Sequence, residues 1–203
     1  MEKINKVINY ITTKYKELET ENICGYKNIN RYTKPTMANC AENAIAILIN
    51  EILKEKKYNY LIDAQLYVGK SKTIRPDIII YDNNNVIHGI IQVKAQIGYE
   101  TENVKEKYNT KLKQLEDASN KGILKISKIK QLFTISKNYK ECIVILMSAN
   151  SHSFKENFKG LNYFVIFDNN NSGNWYHNLS KELLNHNPNG IDDFIDFISQ
   201  IGK

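Results

Sequence analysis

The sequence predicts an α/β domain with a central mixed β-sheet flanked by helices. In several segments apolar residues recur every three or four positions, which is typical of amphipathic helices. Other segments alternate between apolar and polar residues or are apolar throughout, as half-buried and fully buried strands are. The two kinds of segment follow one another along 203 residues without a repeat or linker. We therefore expect one domain spanning residues 1–203.

The first part of the chain predicts two helices and one strand. Residues 4–18 place their apolar side chains at helical spacing, and residues 25–35 are polar and rich in turn formers, as in a loop. A second helix is expected over residues 36–54, with Thr36 as its N-cap. Residues 60–68 then have the composition of a strand.

A β-hairpin is expected next. Residues 75–81 contain three successive isoleucines and predict a strand. The asparagines that follow tolerate the left-handed backbone of tight turns, so residues 82–85 predict the turn. Residues 86–97 form the return strand.

The second part of the chain predicts two helices and two strands. Residues 102–118 carry one apolar stripe and predict a helix. Residues 142–147 are apolar throughout, as in a buried central strand. Residues 162–167 predict another strand, and residues 191–201 predict a final helix.

Composition indicates a reduced, cytoplasmic protein without a membrane span. No apolar run approaches the ~18 residues that cross a bilayer, and the N-terminus lacks the pattern of a signal peptide. The three cysteines, Cys24, Cys40 and Cys142, are widely spaced and form no Cys-x-x-Cys pair. An odd, scattered set favours neither a disulfide framework nor a structural zinc site.

The positive charge is concentrated in one stretch. The chain has 28 basic and 22 acidic residues, a net charge of +6, and residues 101–140 contain ten lysines and four acidic residues, which is also +6. A local basic surface is expected of a protein that binds a polyanion. A solvated, lysine-rich helix without a ligand explains the charge equally well.

Side-chain alternation places three polar groups on one face of the hairpin. Gln92 and Lys94 share a parity on the return strand, opposite to the apolar face. A two-residue turn pairs Asp77 with Gln92 or with Ile90, and either register puts Asp77 on the face of Gln92 and Lys94. A three-residue turn would place it on the other face. The hairpin therefore predicts an acid, an amide and an ammonium close together.

The pattern Arg75-Pro76-Asp77, followed after a hairpin by Gln92-Val93-Lys94, resembles the PD-(D/E)xK nuclease motif of type II restriction endonucleases. The resemblance covers roughly residues 36–118, as helix, strand, Pro-Asp strand, catalytic strand and helix. It implies a restriction-endonuclease-like fold in which Asp77 binds Mg²⁺ and Lys94 positions or activates the attacking water. Gln92 stands where the family usually has Asp or Glu, and some restriction enzymes carry Gln or Asn there. A solvated strand face is the plain alternative.

A neutral amide holds Mg²⁺ more weakly than a carboxylate, so a second acid is expected. Glu42 is one candidate, because its neighbours along the predicted helix are apolar and the family often has a glutamate on this helix. Glu102 and Glu106, on the helix after Lys94, are the alternative, since the acid has moved to that helix in some family members.

Together with these residues, the resemblance implies a Mg²⁺-dependent, sequence-specific DNA endonuclease of the type II restriction kind. Asp77, Gln92 and Glu42 are the expected metal ligands, and Lys94 completes the catalytic set. The resemblance implies double-stranded DNA as substrate and a homodimer. A repair, junction or toxin nuclease on the same fold is the first alternative, and a non-catalytic nucleic-acid-binding domain with a decayed site is the second.

Overall fold

The computed structural model describes residues 5, 9–10, 29–31, 39–68, 72–97, 104–126, 131–149, 160–169 and 188–203. The α-helices with defined bounds are α1 (Cys40–Leu53), α2 (Val104–Asn120) and α3 (Pro188–Ser199), and a 3₁₀ turn, Lys54–Lys56, continues α1. The strands are β1 (Ile29–Arg31), β2 (Asn59–Ile62), β3 (Leu66–Tyr67), β4 (Thr73–Ile74), β5 (Ile78–Tyr81), β6 (Val86–Ile97), β7 (Lys125–Ile126), β8 (Thr134–Ala149) and β9 (Tyr163–Asn169).

The main sheet is mixed, with the strand order β1-β2-β5-β6-β8-β9. Strands β2, β5 and β6 form an antiparallel meander, in which β5 is antiparallel to both β2 and β6. The outer strands run parallel to the strands that they join: β1 to β2, β8 to β6 and β9 to β8. A second, small sheet has the order β4-β3-β7. The predicted α/β class with a mixed sheet flanked by helices is therefore confirmed.

The two faces of the main sheet are covered differently. On one face, α1 and α3 pack over Ile78, Ile80, Ile91 and Val93. Six consecutive residues of α1, Ala44 to Ile49, are buried, as expected of a helix enclosed on all sides. On the other face, α2 packs through a single stripe over Ile79, Ile90 and the buried row of the small sheet. The opposite side of α2 is left exposed.

Several predicted bounds differ from the observed ones for local reasons. The strand expected over residues 60–68 ends at Ile62, because Asp63 adopts a left-handed backbone (φ 53°) that breaks the extended chain. Residues 25–35 are not a loop throughout, since Ile29–Arg31 pairs with β2. Strand β8 begins eight residues before the apolar run that predicted it. The helix expected over residues 4–18 is helical at Asn5, Asn9 and Tyr10, and its other residues lie outside the described ones.

No helix in the described part of the chain is long and apolar enough to cross a membrane.

Candidate active site

The hairpin of β5 and β6 reaches the predicted register by an unexpected route. Asp82 and Val86 close its loop, so the turn has three residues, 83–85, and not two. A β-bulge at His88 adds one residue to β6, because Tyr81 pairs with Ile87 while Ile80 pairs with Gly89. The bulge compensates for the odd turn. Ile78 therefore pairs with Ile91, and Asp77 lies beside Gln92 as one of the two expected registers requires.

Asp82 and His88 fix this end of the hairpin. The Asp82 carboxylate accepts hydrogen bonds from the backbone N–H groups of Asn84 (2.8 Å) and Val86 (3.0 Å). Its other oxygen lies 3.0 Å from His88 Nε2. Asp82 of the turn therefore holds His88 of the bulge, and the extra residue of the bulge offsets the extra residue of the turn. Because of the bulge, Ile87 lies on the α2 side with Ile90, although simple alternation predicts the other face.

Asp77, Gln92 and Lys94 converge on the α2 side of the sheet. Asp77 Oδ2 accepts a hydrogen bond from the side-chain amide of Gln92 and a second, of 2.6 Å, from the backbone N–H of Val93. Ile90 is buried under α2, and Gln92 and Lys94 follow it at the same parity. The hairpin therefore brings the acid, the amide and the ammonium together.

Burial and charge set the protonation of Asp77. Burial raises the pKa of its carboxyl group to about 6, because the charged form loses solvation. The Val93 N–H and the positive charges of Lys94 and Lys111 lower this pKa in part, whereas Asp63 raises it. Asp77 is consequently mostly ionised at neutral pH, with an affinity for protons well above that of a surface aspartate.

Helix α2 adds a second cation to the site. Lys111 is exposed, lies one turn after Tyr108 and is close enough to lower the pKa of Asp77. Tyr108 is buried in the core under α2, and its hydroxyl donates to the carbonyl of Cys142 at 3.3 Å. The buried stripe of α2 thus fixes its rotation, and with that rotation Lys111 is near enough to Asp77 to lower its pKa.

Asp63 is a neighbouring acid that the sequence did not single out. Its backbone N–H donates to the Asp77 carbonyl at 2.8 Å, and its carboxylate lies 3.4 Å from Arg75 Nε. The left-handed turn after β2 creates this proximity. An Asp that ends a strand is a sequence signal for such a turn, but the strand predicted over residues 60–68 concealed it.

Two of the three candidates for the second acid, Glu42 and Glu106, lie among the described residues. Glu42 is half-buried in the first turn of α1, and α1 packs on the face of the sheet opposite to Gln92 and Lys94. Glu106 is exposed in the first turn of α2, on the same side as Lys94. Glu102 lies outside the described residues. The metal-binding role of each glutamate stays a prediction.

The donor set at the hairpin fits a hard cation with few protein ligands. Asp77 Oδ2 is occupied by two N–H donors, so Asp77 Oδ1 and the carbonyl oxygen of Gln92 are the atoms that this pair could offer. Mg²⁺ prefers oxygen ligands and usually keeps several waters, so two protein oxygens can suffice beside substrate phosphates. Among the described residues, no group of three or more His, Cys, Asp or Glu side chains has the arrangement of a metal site.

Comparisons with known proteins give no family for this chain. No protein-family model matches it, and no curated protein sequence is significantly similar to it.

Proposed function

We propose that this protein is a metal-dependent DNA endonuclease with a PD-(D/E)xK-like fold. One observation carries the proposal: Asp77, Gln92 and Lys94, which the motif resemblance selects, lie together on one face of the sheet beside a helix with exposed lysines. The order of elements adds support, since α1, β2, β5, β6 and α2 come in this chain order as helix, three antiparallel strands and helix, with β3 and β4 of the small sheet between β2 and β5.

Each residue then has a chemical task. Asp77 and the carbonyl oxygen of Gln92 would hold Mg²⁺, which supplies charge neutralisation at the phosphate and a bound water of lowered pKa. Lys94 would orient that water or stabilise charge on the phosphate oxygens. The lysines of α2 would contact flanking phosphates, and Lys111 would contact the phosphate nearest to Asp77.

The substrate separates two forms of the proposal. The family resemblance implies a type II restriction enzyme that cleaves double-stranded DNA at a specific sequence, as a homodimer. A repair, junction or toxin nuclease on the same fold is the second form. Cleavage of a fully paired plasmid into discrete fragments supports the first, and selective cleavage of branched DNA supports the second.

Nicking of supercoiled plasmid tests the activity. The wild-type chain should nick DNA in Mg²⁺ and not in EDTA, whereas Asp77→Ala and Lys94→Gln should be inactive. Asp192→Asn is the matched control, because Asp192 is an exposed aspartate on α3, which packs on the other face of the sheet. DNA binding without Mg²⁺-dependent nicking by the wild type would instead identify a non-catalytic binding domain.

A further inference from the structure

The small sheet has one buried and one exposed row of side chains. Leu66 pairs with Ile74 and with Ile126, and all three are buried. Tyr67 pairs with Thr73 and with Lys125, and Lys125 bridges to Leu132. Side chains of directly paired residues point to the same face. We call the face formed by Thr73, Tyr67, Lys125 and Leu132 the outer face.

This outer face contains two of the three large apolar residues that are exposed in the described chain, Tyr67 and Leu132, which flank Lys125. Tyr67, Ile123 and Leu132 are 37%, 38% and 52% exposed, and they are the large hydrophobic residues that are exposed among the described residues. Single exposed apolar residues are ordinary on a protein surface, but a group of them marks a binding surface.

The charge around the outer face selects a polyanion. In the described parts of the two segments that build the small sheet, 64–68, 72–76, 121–126 and 131–134, four residues are basic and none is acidic. Lys72, Lys121 and Lys125 are exposed. A second copy of the chain would bring the same positive charges into contact, which disfavours self-association. Exposed aromatic and aliphatic groups among lysines are instead the composition of surfaces that bind single-stranded nucleic acid.

The outer face lies next to the candidate active site. Thr73 precedes Asp77 by four residues, so their Cα atoms are at most about 14 Å apart. Phosphates of one strand are spaced by about 3.4 Å along a duplex and by more in an extended single strand, so that distance corresponds to at most about four nucleotides. One strand of DNA could contact both places at once.

We propose that the outer face binds unpaired nucleotides of the DNA strand that is cleaved at Asp77, with one base stacked on Tyr67 and a phosphate held by Lys125. The inference rests on the proposed nuclease function and names its substrate as DNA with a single-stranded stretch. It favours the junction or repair form of that function over cleavage of fully paired sites.

Binding in EDTA tests the inference without cleavage. The probes are a fluorescein-labelled oligothymidylate of about 20 nucleotides and a blunt duplex of the same length, measured by fluorescence anisotropy. Tyr67→Thr, which suits a strand but lacks the ring, should weaken oligothymidylate binding roughly 5- to 150-fold, the loss of one stacked base, and should change duplex binding less than twofold. Tyr67→Phe keeps the ring and should bind as the wild type does.

Two lysine variants test the same surface in case Tyr67→Thr fails to fold. Lys125→Gln should lower the slope of log affinity against log salt by about 0.7, the value for one phosphate of a single strand. Lys54→Gln, an exposed lysine that follows α1, should leave the slope unchanged. Unchanged oligothymidylate binding by Tyr67→Thr, or an equal loss on the duplex, would overturn the inference.

The same assays separate failure of the inference from failure of the proposed function. Asp77→Ala should bind oligothymidylate at least as tightly as the wild type, because it removes an anion from beside the strand, and should cleave nothing. Tyr67-dependent binding by a wild-type chain that nicks no DNA would reject the nuclease and keep the binding surface. Mg²⁺-dependent nicking with binding that is indifferent to Tyr67 would do the reverse.

Discussion

Asp77 is a carboxylate in a place that disfavours its charge. The hydrogen bond from the Val93 N–H and the charges of Lys94 and Lys111 offset only part of the effect of burial, so the pKa of Asp77 remains raised, at about 6. A residue that is costly to keep ionised is typical of a functional site. The effect of this carboxylate on the free energy of unfolding can be measured directly.

We expect Asp77→Asn to stabilise the protein above pH 6 in the absence of divalent cations. Because the folded-state pKa of Asp77 exceeds the ordinary value of 3.8, the folded chain holds this proton more tightly, and stability is lost as pH rises from about 4 through 6. The loss is up to about 3 kcal/mol, and asparagine cannot ionise. Urea unfolding at pH 4.5 and pH 8 measures the difference between variant and wild type.

Asp82→Asn is the control with the opposite sign. Although burial acts to raise the pKa of Asp82, hydrogen bonds from His88, Val86 and Asn84 lower it overall. This group therefore adds stability above its ordinary pKa, which is lost as pH falls, and its replacement should destabilise the protein at pH 8.

Mg²⁺ should raise the unfolding free energy of the wild type but not of Asp77→Asn; an equal increase in both would rule out Asp77 as a ligand.

Gln92 has a second role that only the structure reveals, because its amide group donates to Asp77. Gln92→Glu places two carboxylates in contact, so the variant should be less stable than the wild type in EDTA at pH 8 and should regain stability in Mg²⁺. Its cleavage should need less Mg²⁺ than that of the wild type. Gln92→Leu should cleave about 10²-fold more slowly.

The alternative ligand set gives the opposite pattern. If Glu102 or Glu106 supplies the metal-binding acid and Gln92 is scaffold, Gln92→Leu stays active and the corresponding Glu→Gln variant is dead. A Mg²⁺ titration of cleavage by these variants decides between the two sets, and a fully active Gln92→Leu would refute Gln92 as a ligand.

At the scale of the element, the hairpin depends on a left-handed residue in its turn. Asn85 has φ 62°, a conformation that β-branched residues strongly disfavour. Asn85→Val should lower the unfolding free energy by about 1–3 kcal/mol, whereas Asn85→Gly should not. Asn84→Val is the matched control, because Asn84 is exposed and is not among the residues with positive φ. Equal melting temperatures for the two valine variants would contradict this account.

Helix α2 should show two kinds of lysine. Lys105, Lys107, Lys111 and Lys113 are all exposed, and each one that contacts a phosphate of duplex DNA should contribute about 0.9 to the salt slope of binding. Lys111 alone among them acts on Asp77. Lys111→Gln should therefore also slow cleavage of bound DNA, whereas Lys107→Gln should change binding only. Single-turnover cleavage at saturating protein separates the two effects.

At the scale of the whole molecule, the long periodic segments predict the fold. Features that depend on one or two residues are not predictable from the sequence pattern. Strand β6 has the predicted bounds, because twelve residues of extended pattern leave little choice. The two-residue strands of the small sheet have too few residues for any period. The bulge at His88 is not visible in the sequence of apolar and polar residues, because it shifts the face of the side chains at a single position. Asp63 was missed for a similar reason, because a single left-handed residue decides where β2 ends.

The burial of α1 depends on a helix that is synthesised much later. Its second apolar side is covered by α3, and Lys56 beside it donates to the Ser199 carbonyl at 3.1 Å. Cys40 and Pro188 are 148 residues apart, which a ribosome adds in roughly 7–30 s. During synthesis, α1 therefore emerges long before the helix that shields it, and a chain halted before α3 presents a hydrophobic helix to chaperones and proteases.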